Sequence, residues 1–227
     1  VETMLGNLIG INSILELCKI GKCKRVLYIS SSEVYGKKRD GEPYDEGDYQ
    51  YLDILNPRAC YPSAKRAAET LCASYKKEYG IDFVIVRPGH IYGPTMTELD
   101  CRASSQFPRE IKSGNNIVMK SSGEQIRSYC YVLDCASAIL TVLLNGKSGE
   151  AYNISNPNSI VSIRQMAEAF AYQSGKKVIF ENASDEERQA YNLMDNSSLS
   201  SKKLENLGWK GLFDMHSGAE KTLNALK

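Results

Sequence analysis

Two short runs along the chain are apolar almost without interruption: Arg25 to Ser30 (RVLYIS) and Phe83 to Arg87 (FVIVR). Continuous β-branched and aromatic runs of this length predict strands buried on both faces, as in a parallel sheet. Upstream, Leu5, Leu8, Ile9, Ile14, Leu15 and Leu17 recur at helical spacing and predict a helix from Leu5 to Cys18, with Gly21 as its stop. A second helix is predicted from about Tyr61 to Tyr79. Ala64, Ala67, Ala68, Leu71, Cys72 and Tyr75 form its broad apolar face, and Gly80 ends it. A polar loop rich in Gly, Asp and Tyr fills 36–59. Helix, strand, helix, strand with polar loops after the strand ends is α/β organisation.

Beyond Pro94 the pattern is less regular. Asp134 is placed to cap a helix through Ala136 to Leu144. Ser162 with Gln165 reads as a capping box ahead of Ile163, Met166, Ala167 and Phe170, with Gly175 as the stop. Tyr152 to Ile154 and Val178 to Phe180 read as short strands.

Composition narrows the function classes. The 227 residues are 42% hydrophobic and 24% charged, enough for a sizeable core. A formal charge of +1 asks for neither nucleic acid nor an anionic membrane. No apolar run has the length of a membrane span, and the first residues do not read as a signal peptide. Seven cysteines, at 18, 23, 60, 72, 101, 130 and 135, form no CxxC pair and read as reduced thiols of a cytoplasmic protein, with no metal site.

Three segments carry chemistry. Ser30-Ser31-Ser32-Glu33-Val34-Tyr35-Gly36 follows the carboxyl end of the first strand, where open α/β sheets bind ligands. Taken alone, a serine cluster there is ordinary loop. Tyr61 and Lys65 stand four apart, on one helix face. A phenol with a pKa of about 10 is a poor base at neutral pH, and a nearby ammonium favours the phenolate. Tyr61 beside Lys65 could therefore take a proton from a hydroxyl. The third segment, Arg87-Pro88-Gly89-His90-Ile91-Tyr92-Gly93-Pro94, follows the second strand, and its glycines permit close backbone approach.

Together and in this order, the three segments resemble the extended short-chain dehydrogenases, the NAD-dependent epimerases and dehydratases. So do Asn7-Leu8-Ile9-Gly10, Arg127 through Tyr131-Val132-Leu133-Asp134, Tyr152-Asn153-Ile154 and Leu207-Gly208-Trp209. The resemblance implies a Rossmann-like parallel sheet flanked by helices, incomplete at the N-terminus, with a small α/β substrate-binding lobe. It implies the cofactor-binding part in 1–93 and mainly the lobe in 94–227, with 126–155 returning to the Rossmann core. The implied cofactor is NAD, and the implied partners are a nucleotide-diphosphate sugar, with a UDP-sugar favoured, and a second copy of the chain. Dimerisation would use a four-helix bundle of the Asn7 and Tyr61 helices. By the same resemblance Ser31 or Ser32 holds the sugar 4-hydroxyl, Tyr61 is the base, and Lys65 binds the nicotinamide ribose and tunes Tyr61. Ser31 matches the catalytic position better, three residues before Val34. Asn7, Ser30, Pro88 and His90 are placed with the cofactor, and Ser32, Glu33, His90 and Arg127 with the substrate. Arg127 would pair with the nucleotide diphosphate, a task suited to its fork. Its alternative is a surface ion pair. His216 reads as a solvated residue.

Ser31-Ser32-Glu33 stands where dehydratases of the family show Thr-Asp-Glu, which disfavours dehydration. Ser32-Glu33, Asn56-Pro57-Arg58-Ala59-Cys60-Tyr61, Lys65-Arg66 and Ala68-Glu69-Thr70 are most similar to UDP-glucuronate decarboxylases. His90 in place of Asn, Thr95 in place of Arg, and Pro62-Ser63 in place of two acidic residues depart from that pattern. A nucleotide-sugar 4-epimerase or 4,6-dehydratase therefore stays open, as does a non-catalytic binding or regulatory protein on the same scaffold. No Gly-x-Gly occurs in the chain, which begins at Val1. The family's dinucleotide site starts with such a turn. The expectation is a longer natural protein, with roughly 80–100 further residues at about 30 per βαβ unit, and weak NAD binding by these 227 residues alone.

Overall fold

The computed structural model describes residues 1–21, 23–38, 41–97, 99–182 and 195–226. The chain folds into two compact units. The first comprises Val1–Pro88, Ala136–Ile154 and Leu199–Trp209, the second Gly89–Cys135, Ser155–Ser198 and Lys210–Lys227.

The first unit is built on three parallel strands, β1 (Val26–Ile29), β2 (Phe83–Pro88) and β6 (Ala151–Ile154), in the order β1-β2-β6. Leu27 pairs with Val84 and Val86 with Tyr152. Phe83 to Arg87 are all buried, as a continuous apolar run in a covered sheet must be. The helices α1 (Glu2–Ile20) and α2 (Cys60–Tyr79) pack against each other. Ala64, Ala68 and Cys72 of α2 are fully buried, and Gly80 ends it in the left-handed conformation. On α1 the packed stripe is Leu8, Ile11, Leu15 and Cys18. Full burial of Leu15 alone stabilises by about 1.5–3 kcal/mol. This corrects the expected apolar face, because Leu5, Ile9, Ile14 and Leu17 point to solvent. The helix is apolar on more than one side, so spacing alone could not choose between stripes. The Tyr75 hydroxyl contacts the Asn12 amide oxygen, at 2.9 Å, and the Glu16 carboxylate. Arg25 fastens the entry to β1. It ion-pairs with Asp82 at 2.8 Å and donates to the carbonyls of Leu143 and Gly146.

In the second unit β5 (Ile126–Tyr131) pairs in parallel with β3 (His90–Tyr92) and β9 (Asn196–Ser197), and antiparallel with β7 (Ile160–Ser162). A separate pair joins β4 (Ile117–Met119) to β8 (Val178–Phe180). The core draws Tyr92, Ile117, Tyr129, Met166 and Phe170 from these strands and from α5 (Ile163–Ser174), with Met215 and Ala219 from α7 (Met215–Ala225). The capping box of Ser162 and Gln165 is present, and Gly175 stops α5 in the left-handed conformation. Asp134 does not cap its helix as expected. That helix, α4, begins at Val132 and runs to Asn145. Asp134 lies in its first turn, where its carboxylate accepts from the backbone N–H groups of Leu212 and Phe213 and from the Asn156 amide. Three amide donors outside the helix outcompete the capping role.

Candidate active site

At the carboxyl end of β1 the Ser30 N–H donates to the Val86 carbonyl at 2.8 Å, carrying the parallel ladder one residue past the strand. Ser30 is buried, and its hydroxyl is buried without a hydrogen-bond partner. Ser31 is extended and caps a short 3-10 turn, Ser32–Tyr35, its Oγ accepting from the Glu33 N–H at 3.2 Å. Accepting leaves the Ser31 hydroxyl proton free for another oxygen. The chain then turns at Gly36, where φ is 75° and an added Cβ would lie 2.4 Å from the Tyr51 carbonyl oxygen. Ser32 is half-buried and Glu33 is at the surface. Surrounding protein nonetheless pushes the Glu33 carboxyl above the usual carboxylate range, with the Arg58 charge opposing. Arg58 sits in a turn capped by the Asn56 side chain, just ahead of α2.

Tyr61 lies in the first turn of α2 and Lys65 one turn later on the same face. The Lys65 ammonium donates to the Ile29 carbonyl at 2.9 Å. It stands 4.9 Å from the Tyr28 ring centroid and 5.7 Å from that of Tyr61. Burial lowers its pKa, with the Glu69 carboxylate opposing. One cation thus links the end of β1 to the Tyr61 phenol. Tyr28 is buried and its hydroxyl has no partner, and burial drives its pKa up.

Arginines hold the floor beneath. Arg87, 1% exposed, forms a two-pronged pair with Glu69 at 2.9 and 2.6 Å and donates to the Tyr35 and Tyr49 hydroxyls and the Glu46 carbonyl. Arg66 donates to the carbonyls of Val34, Tyr35 and Gln50. These contacts fix the loop after the serines against α2. Arg66, Glu69 and Arg87 were visible in the sequence only as parts of quoted motifs, and Tyr28 carried no signal beyond an apolar strand.

The other expected residues fall elsewhere. Asn7 is half-buried on α1, its amide donating to the Thr3 carbonyl at 2.7 Å. Pro88 ends β2 opposite Ile154. His90 and Arg127 belong to the second unit. The His90 ring meets Tyr129 edge-on at 5.6 Å, and its Nδ1 is buried without a partner. Burial first, then the charges of Arg127 and Arg102, pull its pKa down to about 4. Arg127 is 3% exposed and donates to the Ile126 carbonyl, so it is a buried residue and not a surface one. His216 is exposed. Among the described residues no helix is long and apolar enough to cross a membrane.

A family model described as "NAD dependent epimerase/dehydratase family" matches residues 1–155, the stretch that carries Ser31, Tyr61, Lys65, His90 and Arg127. The chain belongs to this family. Over 227 residues this family member is 30% identical to UDP-glucuronic acid decarboxylase 1 of Xenopus tropicalis, covering 99% of the chain and 52% of that protein. It is 32% identical to UDP-glucuronic acid decarboxylase 3 of Arabidopsis thaliana, over 96% of the chain and 62% of that protein. It is 28% identical to the dTDP-D-glucose 4,6-dehydratase of Homo sapiens, over 96% and 60%. The chain spans about half to three fifths of these relatives. Among solved structures, the UDP-glucose 4-epimerase of Thermotoga maritima with UDP-glucose superposes with a TM-score of 0.83 at 21% identity, over 98% of the chain and 69% of that structure. At that identity the likeness establishes the fold, and the epimerase/dehydratase chain is Rossmann-like α/β, as expected.

Proposed function

We propose that the complete protein is an NAD-dependent nucleotide-sugar enzyme that oxidises its substrate at sugar C4 and reduces it again, with UDP-glucuronate decarboxylation as the reaction. One observation carries this reading: the Lys65 ammonium, bound to the strand end that bears the serines and close to the Tyr61 ring. The unpartnered Ser30 hydroxyl and the half-buried Lys65 suit a polyhydroxylated ribose, and Asn7, Tyr61, Pro88 and His90 complete the residues that would hold NAD. NAD, when bound, supplies the reversible two-electron oxidation of C4.

The chain's own residues handle the protons. Tyr61, beside Lys65, takes the proton of the 4-hydroxyl, and the Ser31 hydroxyl donates a hydrogen bond to the C4 oxygen. A ketone at C4 is β to the C6 carboxylate. The C5–C6 bond then breaks with loss of carbon dioxide, and its electron pair moves into an enolate. Glu33, next to Ser32 at the strand end, protonates C5. Tyr61 returns its proton when C4 is reduced. Arg127 and Ser32 would hold the diphosphate and the sugar. Two observations support this reaction over others in the family: Ser32-Glu33 in place of Asp-Glu, and decarboxylases among the relatives. Because decarboxylases usually have Asn where this chain has His90, 4-epimerisation is the second reading.

The test is a product assay on the complete protein with UDP-glucuronate and NAD, wild type against Tyr61→Phe. Carbon dioxide and UDP-xylose should form, and Tyr61→Phe should slow turnover by a factor of about 10² to 10⁴, the usual worth of a general base. Inversion at C4 without carbon dioxide would replace decarboxylation by epimerisation. An unaffected Tyr61→Phe would remove Tyr61 from the chemistry.

A further inference from the structure

Two neighbouring residues of β1 meet the Lys65 ammonium in different ways. The Ile29 carbonyl accepts from it at 2.9 Å, and the ring centroid of Tyr28 lies 4.9 Å from the same Nζ. Successive side chains of a strand point to opposite faces, so the Tyr28 ring turns to the α2 side while Ile29 meets Lys65 through its backbone. Tyr28 packs in one cluster with Ala68 and Cys72, small buried residues of α2 that leave room for a ring. The Tyr61 ring, one turn back along α2, lies 5.7 Å from the ammonium. A cation within about 6 Å of a ring centroid is attracted by the electron-rich face. Packing in the strand asks only for an apolar side chain, as Val26, Leu27 and Ile29 supply. The Tyr28 hydroxyl has no hydrogen-bond partner, so it is the ring that Lys65 meets. Burial works against the ammonium, and the Glu69 carboxylate one turn along α2 works for it.

We propose that Tyr28 is a positioning residue whose ring, together with the Ile29 carbonyl, holds the Lys65 ammonium charged and in place beside Tyr61. The carbonyl takes one N–H, and the ring face attracts the charge itself, so the two contacts fix a head group that its flexible four-carbon stem does not. An aliphatic side chain at position 28 fills the same space and leaves the carbonyl without the ring. The hold on the ammonium belongs to the fold. Its value in turnover rests on the reading of Lys65 and Tyr61 given under the proposed function.

The complete protein, as wild type, Tyr28→Phe and Tyr28→Leu, is labelled with trace acetic anhydride across a range of pH, and the peptide that carries Lys65 is followed by mass spectrometry. Only the uncharged amine reacts, so the profile gives the titration midpoint of Lys65 without any turnover. Tyr28→Phe keeps a ring and should match wild type. Tyr28→Leu should move the midpoint down by about 0.5–1.5 pH units, the worth of a partly desolvated cation–π contact. A fluorinated phenylalanine at position 28 keeps the shape and weakens the ring face. It should shift the midpoint the same way, and it serves where Tyr28→Leu fails to fold. The proposal is overturned if the midpoint stays or rises in Tyr28→Leu or in the fluorinated variant, or if Tyr28→Phe shifts as far as Tyr28→Leu. In the product assay the alkaline limb of kcat should move down with the midpoint in Tyr28→Leu and stay in Tyr28→Phe. A limb that stays while the midpoint moves also overturns the positioning role. Wild type without turnover, with the midpoint moved as expected, strikes the proposed reaction and leaves the hold of Tyr28 on Lys65 standing.

Discussion

His90 shows how one residue's surroundings decide what it can offer a ligand. Its pKa of about 4 means a neutral ring at pH 7, with one N–H donor and one acceptor nitrogen. The amide of Asn offers both functions as well. His90 can therefore stand where decarboxylases usually have Asn without adding a charge beside Arg127. The same shift has a cost in acid. The unfolded ring, near 6.5, binds a proton that the folded ring refuses until about pH 4. The folded state's advantage is complete above pH 6.5 and is lost as pH falls toward 4. Between pH 7.5 and 5 this one ring should cost about 2 kcal/mol, at 1.36 kcal/mol per unit. Urea unfolding of wild type and His90→Asn at both pH values measures it. The variant should lose about 2 kcal/mol less than wild type, and equal losses would show that His90 titrates normally in the fold.

At the scale of elements, fit between one helix and one strand sets the tolerance of the second unit. Gly218 of α7 faces Tyr92 of β3, and a Cβ there would lie 1.9 Å from the Tyr92 hydroxyl oxygen. Tyr92 is 1% exposed and ringed by Tyr129, Tyr131 and Phe170, so it has little room to yield. Gly218→Ala should destabilise by about 1–3 kcal/mol despite its better helix propensity. Tyr92→Phe removes an oxygen that is buried without a partner and should be nearly neutral. In the double variant most of the Gly218→Ala loss should disappear, and additive losses would place the clash elsewhere. Contacts of this kind are the part of the fold that sequence pattern does not carry. The strands, the capping box and the Gly80 and Gly175 stops were legible because each obeys a local rule of burial or backbone conformation. Ile11 and Asp134 were not, because their partners, α2 for one and Leu212 and Phe213 for the other, are distant in the chain. The candidate site divides the same way. Ser31, Tyr61 and Lys65 were legible through the resemblance of their segments, taken together, to a known family. The Lys65 bond to Ile29, the Tyr28 ring beside it and the burial of Arg127 exist only once the chain is folded.

For the whole molecule, the packing of α1 on α2 bears on assembly. Leu5 and Ile9 of α1 are 51% and 62% exposed, and Ala67 of α2 is exposed beside the buried stripe of Ala64 and Ala68. Small residues on a helix surface let another helix approach closely, and ridges of one can then enter the grooves of the other. We propose that the complete protein forms a homodimer through α1 and α2 across a two-fold axis, so that every contact occurs twice. That repetition makes a single change at the seam count double. Ala67→Glu would bring two carboxylates into an apolar contact without partners, at a cost well above the 1.4 kcal/mol that corresponds to tenfold in affinity. On a free surface the same change should be nearly silent, since exposed substitutions usually stay within about 0.5 kcal/mol. Sedimentation velocity on the complete protein should show a dimer for wild type and dissociation at least tenfold easier for Ala67→Glu, with the urea midpoint of the isolated protomer unchanged. A wild-type monomer, or a variant dimer as tight as wild type, would assign the exposed apolar residues of α1 to something other than self-association.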